Sequence, residues 1–331
     1  MDTQLQSQIE QAHQAGQLDG LHGVLVIHKG EILAEQYFAG TDESWGQMLG
    51  VRTLTPTCLH DLRSVTKSVV SLLYGIALAD GQVPGLDESL VEQFPDLSDL
   101  GSDPERRKMT VRHALSMMMG TEWNEDFPYS DPRNSEIAME MADDRYRFVL
   151  DRPLVDAPGE KWVYNGGATA LIGHFIAKGT GMALDAYATE KLFKPLGIKE
   201  FGWIRGADGV PSSASGLRLN IHDLAKIGQL VLQDGEWEGK QIVPKAWLEQ
   251  ALKPHAVPEE GIRYGLFWWL APDGDPPYWA AGFGNGGQRL TVSKVSDLIV
   301  AIFAGNYNAP DAWKVPVKVI VDFVVPAIQK R

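Results

Sequence analysis

Cysteine is almost absent from this chain, with Cys58 the only one in 331 residues. A single thiol excludes an intrachain disulfide, a thiolate metal cluster and a redox-active cysteine pair. His60 lies two positions further on, which leaves open a Cys/His nucleophile, although a small buried apolar cysteine is the simpler interpretation. The eight histidines are scattered and no His-Glu-x-x-His run occurs, so the sequence predicts neither a metal nor a cofactor.

Positive charge is also scarce. Thirty Lys and Arg residues stand against 43 Asp and Glu residues, for a formal net charge of −13. That excess of acid opposes binding to nucleic acid and to anionic lipid, since both need a positive face. No apolar run approaches the length of a membrane span. We therefore expect a globular protein with one or two apolar cores, no nucleic-acid partner, and neutral or cationic small molecules as substrates.

Residues 1–6 are polar and lack the charged-then-apolar pattern of a secretion signal. The sequence as given therefore predicts a cytoplasmic protein, or a periplasmic or secreted one if an export segment has been removed. A Gly-x-Ser-x-Gly motif is absent, which argues against an α/β-hydrolase. The sequence leaves the oligomeric state open.

Ser64 and Lys67 carry the strongest chemical signal, because they place a hydroxyl and an amine on one face at the start of an apolar helix. Serine becomes a good nucleophile when a base takes its proton, and a buried lysine can lose its charge to do so. Unpaired N–H groups at the helix N-terminus would stabilise an oxyanion. The alternative, a helix cap with a surface lysine, fits less well because no other charge follows until Asp80. The pattern predicts acyl transfer.

Residues 61–68 resemble the active-serine segment of the serine β-lactamase and penicillin-binding protein superfamily. Five later segments resemble others of that superfamily in the same order, namely MMMGTEW (117–123), PGEKWVYNG (158–166), LFKPLGI (192–198), SGLRL (215–219) and GNGGQ (284–288). The resemblance runs from about residue 20 to the C-terminus. It is nearest to the class C β-lactamase-like branch, which holds esterases, D-amino-acid peptidases and 6-aminohexanoate-dimer hydrolases.

The resemblance implies a role for each matching residue. Ser64 would be the acylated nucleophile, Lys67 its proton partner and Tyr164 a second acid/base. The backbone N–H groups of Ser64 and Asn285 would be the oxyanion donors. Tyr164 could instead be an ordinary buried aromatic residue, and Asn285 a turn residue. The other candidate binding residues are Gly284, Gly286, Asn165, Trp123 and Glu122.

The cleft walls are predicted from two further segments, 122–129 and 267–269. Within the first, the acidic loop around Glu125 and Asp126 could equally be solvated. Within the second, Trp268 and Trp269 could equally be the core and surface faces of one strand.

Two departures from the superfamily pattern bear on the substrate. Relatives carry Tyr-x-Asn where this chain has Tyr164-Asn165, so the substrate-orienting asparagine is displaced or absent. Penicillin-recognising relatives carry Lys-Thr-Gly on the strand beside the site, and the best match here, at 282–284, is Gly-Phe-Gly. The clamp for a substrate carboxylate is therefore missing, and Arg289 is the one nearby cation that could replace it.

From these observations we predict a serine hydrolase that forms an acyl-enzyme on Ser64 and cleaves small esters or neutral amides. A β-lactamase or D-aminopeptidase is the alternative enzyme. An inactive relative that acts as a binding protein is a further alternative.

Hydrophobic periodicity predicts how the chain is organised. Strands are expected at 23–28 and 32–38 with a tight turn at 29–31 between them, helices and loops from about 64 to 195, and strands again at 264–270, 288–292 and 298–303 before a final helix at 315–328. The first and last segments must then share a sheet. The predicted fold class is α/β (α+β), a mainly antiparallel sheet flanked by N- and C-terminal helices with an inserted helical domain. The predicted domains are 1–62 with 200–331, and 63–199, with the active site at their junction.

Overall fold

Fourteen strands lie in residues 1–258 and 261–330, the parts of the chain that the computed structural model describes. They are Leu21–His28 (β1), Glu31–Tyr37 (β2), Ala39–Ser44 (β3), Gln47–Thr53 (β4), His60–Asp61 (β5), Gly202–Trp203 (β6), Leu217–Leu219 (β7), Glu236–Trp237 (β8), Lys240–Gln241 (β9), Arg263–Tyr264 (β10), Trp269–Leu270 (β11), Ala280–Gly284 (β12), Gln288–Ser293 (β13) and Leu298–Ala304 (β14). Seven form one antiparallel sheet in the order β10-β11-β12-β13-β14-β1-β2.

The helices of the described residues lie mostly between β5 and β6. The α-helices are Thr3–Gln14 (α1), Val65–Ala79 (α2), Ser98–Gly101 (α3), Val111–Leu115 (α4), Ser135–Glu140 (α5), Arg145–Leu150 (α6), Gly166–Thr180 (α7), Leu184–Ala188 (α8), Ile221–Leu232 (α9), Lys245–Ala251 (α10), Lys314–Lys318 (α11) and Val325–Gln329 (α12). Val319–Val324 continues α11 into α12 as π-helix, so the chain is helical from 314 to 329. No helix in these residues is long and apolar enough to cross a lipid bilayer.

Strand β1 lies inside the main sheet, between β14 and β2. Its side chains alternate between two apolar layers, because successive residues of a strand point to opposite faces. Leu25 joins the larger core, on the side of α2, whereas Val24 and Val26 join a smaller core under α1 and the C-terminal helix. The first and last parts of the chain therefore share one sheet, as predicted.

Helix α2 is the centre of the larger core. Every residue from Val65 to Ala77 is buried, because the segment has apolar side chains on all sides and only one charge, Lys67. Burying a Val or Leu side chain stabilises the fold by about 1.5–3 kcal/mol. The helix therefore fixes the position of any group at its N-terminus.

The predicted fold class is confirmed, with two differences in detail. The single strand predicted at 264–270 is wrong, because Phe267 takes a left-handed φ of 62° and the chain folds back into β10 and β11. The hairpin of β3 and β4 was not predicted at all. Elements between 65 and 193 are helices, but the division into domains at 62/63 and 199/200 stays a prediction.

Candidate active site

Ser64 lies immediately before α2 and its hydroxyl makes no helix-capping bond. The residue before it, Arg63, has a left-handed φ of 49°, a conformation that costs energy in a non-glycine residue. Ion pairs with Glu43 and Asp61 hold the Arg63 side chain, the latter at 3.1 Å. The Ser64 hydroxyl is thus left free of the helix cap and hydrogen-bonds with Lys67 instead.

Lys67 is buried and donates three hydrogen bonds from Nζ. They run to Ser64 Oγ at 3.1 Å, to the carbonyl oxygen of Ala214 at 2.9 Å and to Glu136 Oε2 at 3.3 Å. Burial alone would lower the pKa of Lys67, but the Glu136 carboxylate, together with Tyr164 and Glu125, outweighs that effect and raises the pKa above its ordinary value. The expectation that burial alone would discharge this amine is therefore wrong, because the sequence did not reveal the carboxylate beside it.

Tyr164 completes the group of side chains around Ser64. It interacts with Ser64 and with Lys67, and the Lys67 Nζ lies 4.9 Å from the centre of its ring. Burial raises the pKa of Tyr164, and the nearby Lys67 charge and Ser64 hydroxyl only partly offset it. Tyr164 is therefore a neutral phenol, able to give a proton. The structure brings Ser64, Lys67 and Tyr164 together.

Glu136 is a site residue that the sequence did not identify. It lies at the start of α5, behind the cap formed by Asn134, and is fully buried. Its Oε1 accepts a hydrogen bond from Ser215 Oγ at 2.6 Å, while Oε2 faces Lys67. A Cβ at Gly166 would overlap Oε2, so the first turn of α7 can approach this carboxylate only with glycine there. The asparagine cap is the only local signal, and it is common in helices without any function.

Glu125 is a second acidic residue that contacts the site. Its carboxylate accepts hydrogen bonds from Trp123 Nε1 at 2.7 Å, from the Gly166 N–H at 2.6 Å and from the Tyr129 hydroxyl at 2.7 Å. Burial and the neighbouring Glu136 raise the pKa of Glu125 to about 7, against the opposing effect of Lys67. This group therefore changes charge near neutral pH.

A cleft of about 600 Å³ opens beside these residues. Its walls are Trp123, Asn124, Glu125, Asp126, Tyr129, Trp162, Val163, Tyr164, Pro258, Ile262 and Trp269. Trp269 stacks on Tyr164 with ring centres 5.9 Å apart, whereas Trp268 is buried in the core. Glu122 does not line the cleft, because its carboxylate points to Arg152 and accepts a hydrogen bond from it at 2.9 Å.

The two predicted asparagines have structural contacts of their own. Asn165 is the N-cap of α7, where its Oδ1 accepts from the Ala168 N–H at 3.0 Å. Asn285 and Gly286 lie in the turn after β12, and Asn285 exchanges hydrogen bonds with Asn308 at 2.8 and 3.1 Å. These side-chain contacts suit a turn residue, and the oxyanion role of the Asn285 backbone N–H stays a prediction.

Strand β12 packs directly on helix α2 and the residues before it through its glycines. A Cβ at Gly282 would lie 2.9 Å from Val65 Cγ1, and one at Gly284 would overlap the carbonyl oxygen of Leu62. Phe283, between them, therefore lies level with Ser64 and projects its side chain from the opposite face.

Arg289 is paired with Phe283 across the strands, and its guanidinium lies 3.6 Å from the centre of that ring. It therefore also projects away from the nucleophile. This position does not suit a carboxylate clamp.

Comparison with known proteins gives consistent results. The Beta-lactamase family model matches residues 5–312. The 6-aminohexanoate-dimer hydrolase of Paenarthrobacter ureafaciens is 23% identical over 309 residues, which cover 87% of this chain and 73% of the relative.

Two solved structures illustrate the shared fold. EstCE1, a hydrolase with promiscuous acyltransferase activity, superposes with a TM-score of 0.73 at 15% identity, covering 96% of this chain and 97% of its own. The octameric penicillin-binding protein homologue from Pyrococcus abyssi superposes with a TM-score of 0.71 at 19% identity, covering 98% and 78%. With the family match extending over nearly the whole sequence, the chain belongs to the Beta-lactamase family of serine hydrolases.

Proposed function

We propose that this chain hydrolyses small esters or neutral amides through an acyl-enzyme on Ser64. The observation that carries the proposal is the contact of one hydroxyl with two proton-handling groups. Lys67 Nζ lies 3.1 Å from Ser64 Oγ, and Tyr164 interacts with the same serine and with Lys67. A base and an acid on one nucleophile are the groups that acyl transfer needs.

Glu136 supplies the missing acceptor for the serine proton. Because Lys67 rests as an ammonium, it must release a proton before it can take one. Glu136 Oε2, at 3.3 Å, can receive that proton while the freed Nζ lone pair takes the proton of Ser64. After this relay the lysine is again an ammonium, Glu136 is a carboxylic acid, and Ser64 Oγ forms the bond to the substrate carbonyl carbon.

Tyr164 then acts as the acid. As the bond to the leaving group breaks, the neutral phenol gives its proton to the departing oxygen or nitrogen, and the Lys67 ammonium stabilises the phenolate. In deacylation a water attacks the acyl group and returns a proton to Tyr164. Ser64 regains its own proton from Lys67, which is recharged from Glu136, and all groups return to their starting forms.

The oxyanion site combines two backbone N–H groups. Ser64 contributes one at the start of α2, where no partner within the helix is available. Strand β11 pairs with β12 only at Ala280 and Ala281, so the edge of β12 is free at Phe283. N–H groups along an antiparallel strand point alternately to its two neighbours, and Trp279 faces β11, so the Phe283 N–H faces this free edge. We assign the second donor to Phe283 because it lies within β12, whereas Asn285 lies in the turn beyond the strand.

The cleft favours uncharged acyl groups. The three residues at 282–284 offer neither charge nor hydroxyl to a substrate carboxylate, and Glu125 and Asp126 would repel one. The aromatic walls suit an apolar substrate. The relative named 6-aminohexanoate-dimer hydrolase and the hydrolase EstCE1 are consistent with amide or ester substrates. A relative named as a D-alanyl-D-alanine carboxypeptidase, 24% identical over 182 residues, keeps a β-lactamase or D-peptidase as the second candidate.

Covalent labelling tests the nucleophile directly. The chain is treated with a fluorophosphonate, digested, and mapped by mass spectrometry, with Ser64→Ala as the matched control. We expect one adduct, on Ser64. The competing hydroxyls of Ser68, Ser71 and Ser116 each donate to a backbone carbonyl at 2.8 Å and have no base beside them. An adduct on one of these, or equal labelling of Ser64→Ala, would refute the proposal.

A further inference from the structure

A second buried polar cluster lies apart from the cleft, where β1, β3 and β5 meet. It contains His22, Asp42 and His60, whose candidate ligand atoms all lie within 4.8 Å of one another. The Tyr307 hydroxyl lies 3.4 Å from Asp42 Oδ1 and 3.5 Å from His60 Nε2. The three ligand residues are almost inaccessible to solvent. The catalytic steps described above use none of these groups.

The hydrogen bonds of His60 fix which of its nitrogens carries a proton. Nδ1 lies 3.1 Å from the carbonyl oxygen of Asp61, which can only accept, so Nδ1 is the donor and Nε2 of the neutral ring carries a lone pair. That lone pair faces His22 Nδ1 at 3.0 Å, where an Nδ1–H of His22 can donate to it, and Asp42 Oδ1 lies 3.4 Å away. A cation that replaces this His22 proton would be bound by both histidine nitrogens and by the carboxylate. An N–H bonded to a backbone carbonyl is also how ligating histidines are usually oriented.

Four distances between these candidate ligand atoms are close to those of a tetrahedral zinc site. Four ligands at ~2.0–2.1 Å from a tetrahedral Zn²⁺ lie about 3.3 Å apart. Here His22 Nδ1 and His60 Nε2 are 3.0 Å apart, and His60 Nε2 and Asp42 Oδ1 are 3.4 Å apart. The Tyr307 distances of 3.4 and 3.5 Å are similar, and the ligand atoms of His22, Asp42 and His60 all lie within 4.8 Å of one another.

The backbone holds the His22 ring in place, because a Cβ at Gly40 or at Gly305 would overlap it. The charges around the cluster are balanced. Arg52 pairs with Asp42 at 3.2 Å, and Arg63 lies over the Tyr307 ring at 5.0 Å.

Arg218 also acts on His60, so three arginines surround the cluster. The carboxylates of Asp42, Glu43 and Asp61 form ion pairs with these three arginines and balance their charge.

We propose that His22 Nδ1, His60 Nε2 and Asp42 Oδ1 bind a structural Zn²⁺, with Tyr307 Oη at the fourth position. Such an ion would join the sheet, the hairpin of β3 and β4, and the β5 strand that leads into Ser64. Because the site is buried, the metal enters during folding and is retained afterwards.

Metal content is the first test. The full chain is produced without a polyhistidine tag in zinc-supplemented medium, desalted, and analysed by inductively coupled plasma mass spectrometry. We expect about one zinc per chain, and loss of it in His60→Gln and Asp42→Asn. His222→Gln is the matched control, because His222 pairs with Glu35 at the surface. Wild-type protein with less than roughly a tenth of an equivalent would overturn the proposal.

Refolding gives an answer even if the variants fold poorly. Wild-type chain is unfolded in guanidinium chloride and refolded with either ZnCl₂ or EDTA. Free zinc at a hundred times the dissociation constant of the site should raise Tm by about 5 °C. Four-coordinate Co²⁺ in place of zinc should add visible absorption, which His60→Gln should lack. Equal Tm values in zinc and EDTA, with no cobalt spectrum, would contradict the zinc site. This outcome is independent of whether Ser64 is the nucleophile.

Discussion

Glu136 Oε2 lies 3.3 Å from Lys67 Nζ, and both side chains are buried next to Ser64. The pair decides how the site can work, because a lysine beside a carboxylate stays charged at neutral pH. We therefore place Lys67 in the middle of the proposed proton relay rather than treating it as an amine freed by burial. Four of the five predictions below test parts of this arrangement and its cleft, and the other tests the oxyanion site.

Glu136→Gln should lower kcat/KM at pH 7 by roughly 10²–10⁴-fold, the range typical of lost proton transfer. Since Glu136 raises the pKa of Lys67, the variant lysine should lose its proton at lower pH and then act as a base by itself. The activity of the variant should therefore recover as pH rises. Profiles for a p-nitrophenyl ester from pH 6 to 10 measure this.

Glu122→Gln is the control for that profile, because Glu122 pairs with Arg152 outside the cleft. A loss in Glu136→Gln that is the same at every pH would reduce Glu136 to a structural role. Thermal unfolding of each variant separates that role from misfolding.

Lys67→Ala and Tyr164→Phe should each reduce acylation by roughly 10²–10⁴-fold, because one handles the serine proton and the other the leaving group. They act in one step, so the double variant should lose far less than the product of the two. Stopped-flow acylation rates of the wild type, the two single variants and the double variant complete the double-mutant cycle. Independent effects that multiply would show that the residues do not act together, and near-full activity of Tyr164→Phe would assign that ring to packing.

Phe283→Pro should lower kcat by roughly 10²–10³-fold, the usual effect of removing one oxyanion donor. Proline removes the N–H, and a free strand edge tolerates it. Phe283→Ala controls for the ring, and Asn285→Ala tests the turn residue. We expect both to retain most of their activity toward a short ester. Strong loss in Asn285→Pro, which lacks the backbone N–H at that position, with activity kept in Phe283→Pro would exchange the two assignments.

Glu125→Gln should gain stability relative to wild type as pH rises from 5 to 8. The pKa of Glu125 is raised to about 7, so the folded wild type holds this proton more tightly than the unfolded chain does. The stabilisation from the protonated form is complete below the ordinary pKa and is lost as pH rises through 7. Tm values of both proteins across this range check the sign, and a pH-independent difference would argue against a buried titrating carboxyl.

Short-chain p-nitrophenyl esters should be hydrolysed with kcat/KM far above that for benzylpenicillin. Each lost charge-assisted contact is worth about 1.5–3 kcal/mol, roughly ten- to more than a hundredfold in rate, and two are missing. Repulsion from Glu125 and Asp126 acts in the same direction and should weaken with salt. Efficient penicillin hydrolysis that disappears in Arg289→Ala would favour the β-lactamase alternative.

Much of the fold could be predicted from sequence because its signals are local. The apolar run after Ser64 predicted α2, and the periodicity at 298–303 predicted β14. Residues 47–53 gave no signal because strand β4 is almost wholly exposed and pairs only with β3. Phe267 is an aromatic residue in a left-handed turn, which no propensity would suggest.

Only the part of the site that lies within the Ser-x-x-Lys motif follows directly from local sequence spacing. Ser64 and Lys67 are one helical turn apart, so their contact follows from the sequence. Glu136 lies 69 positions after Lys67 on another helix, and the residues around it in the sequence do not indicate this contact. The cluster around His22 and His60 was missed for the same reason, because its members lie on separate strands and match no metal motif.

The pairing of β1 with β14 has a consequence for how the protein is made. Strand β1 leaves the ribosome long before β14, which is one of its two neighbours in the sheet. Until β14 emerges, β1 exposes an apolar edge, and an unpaired edge can join another chain. Contacts so distant in sequence also form slowly. We therefore expect nascent chains that stall before residue 298 to depend on chaperones, whereas released full-length chains should not.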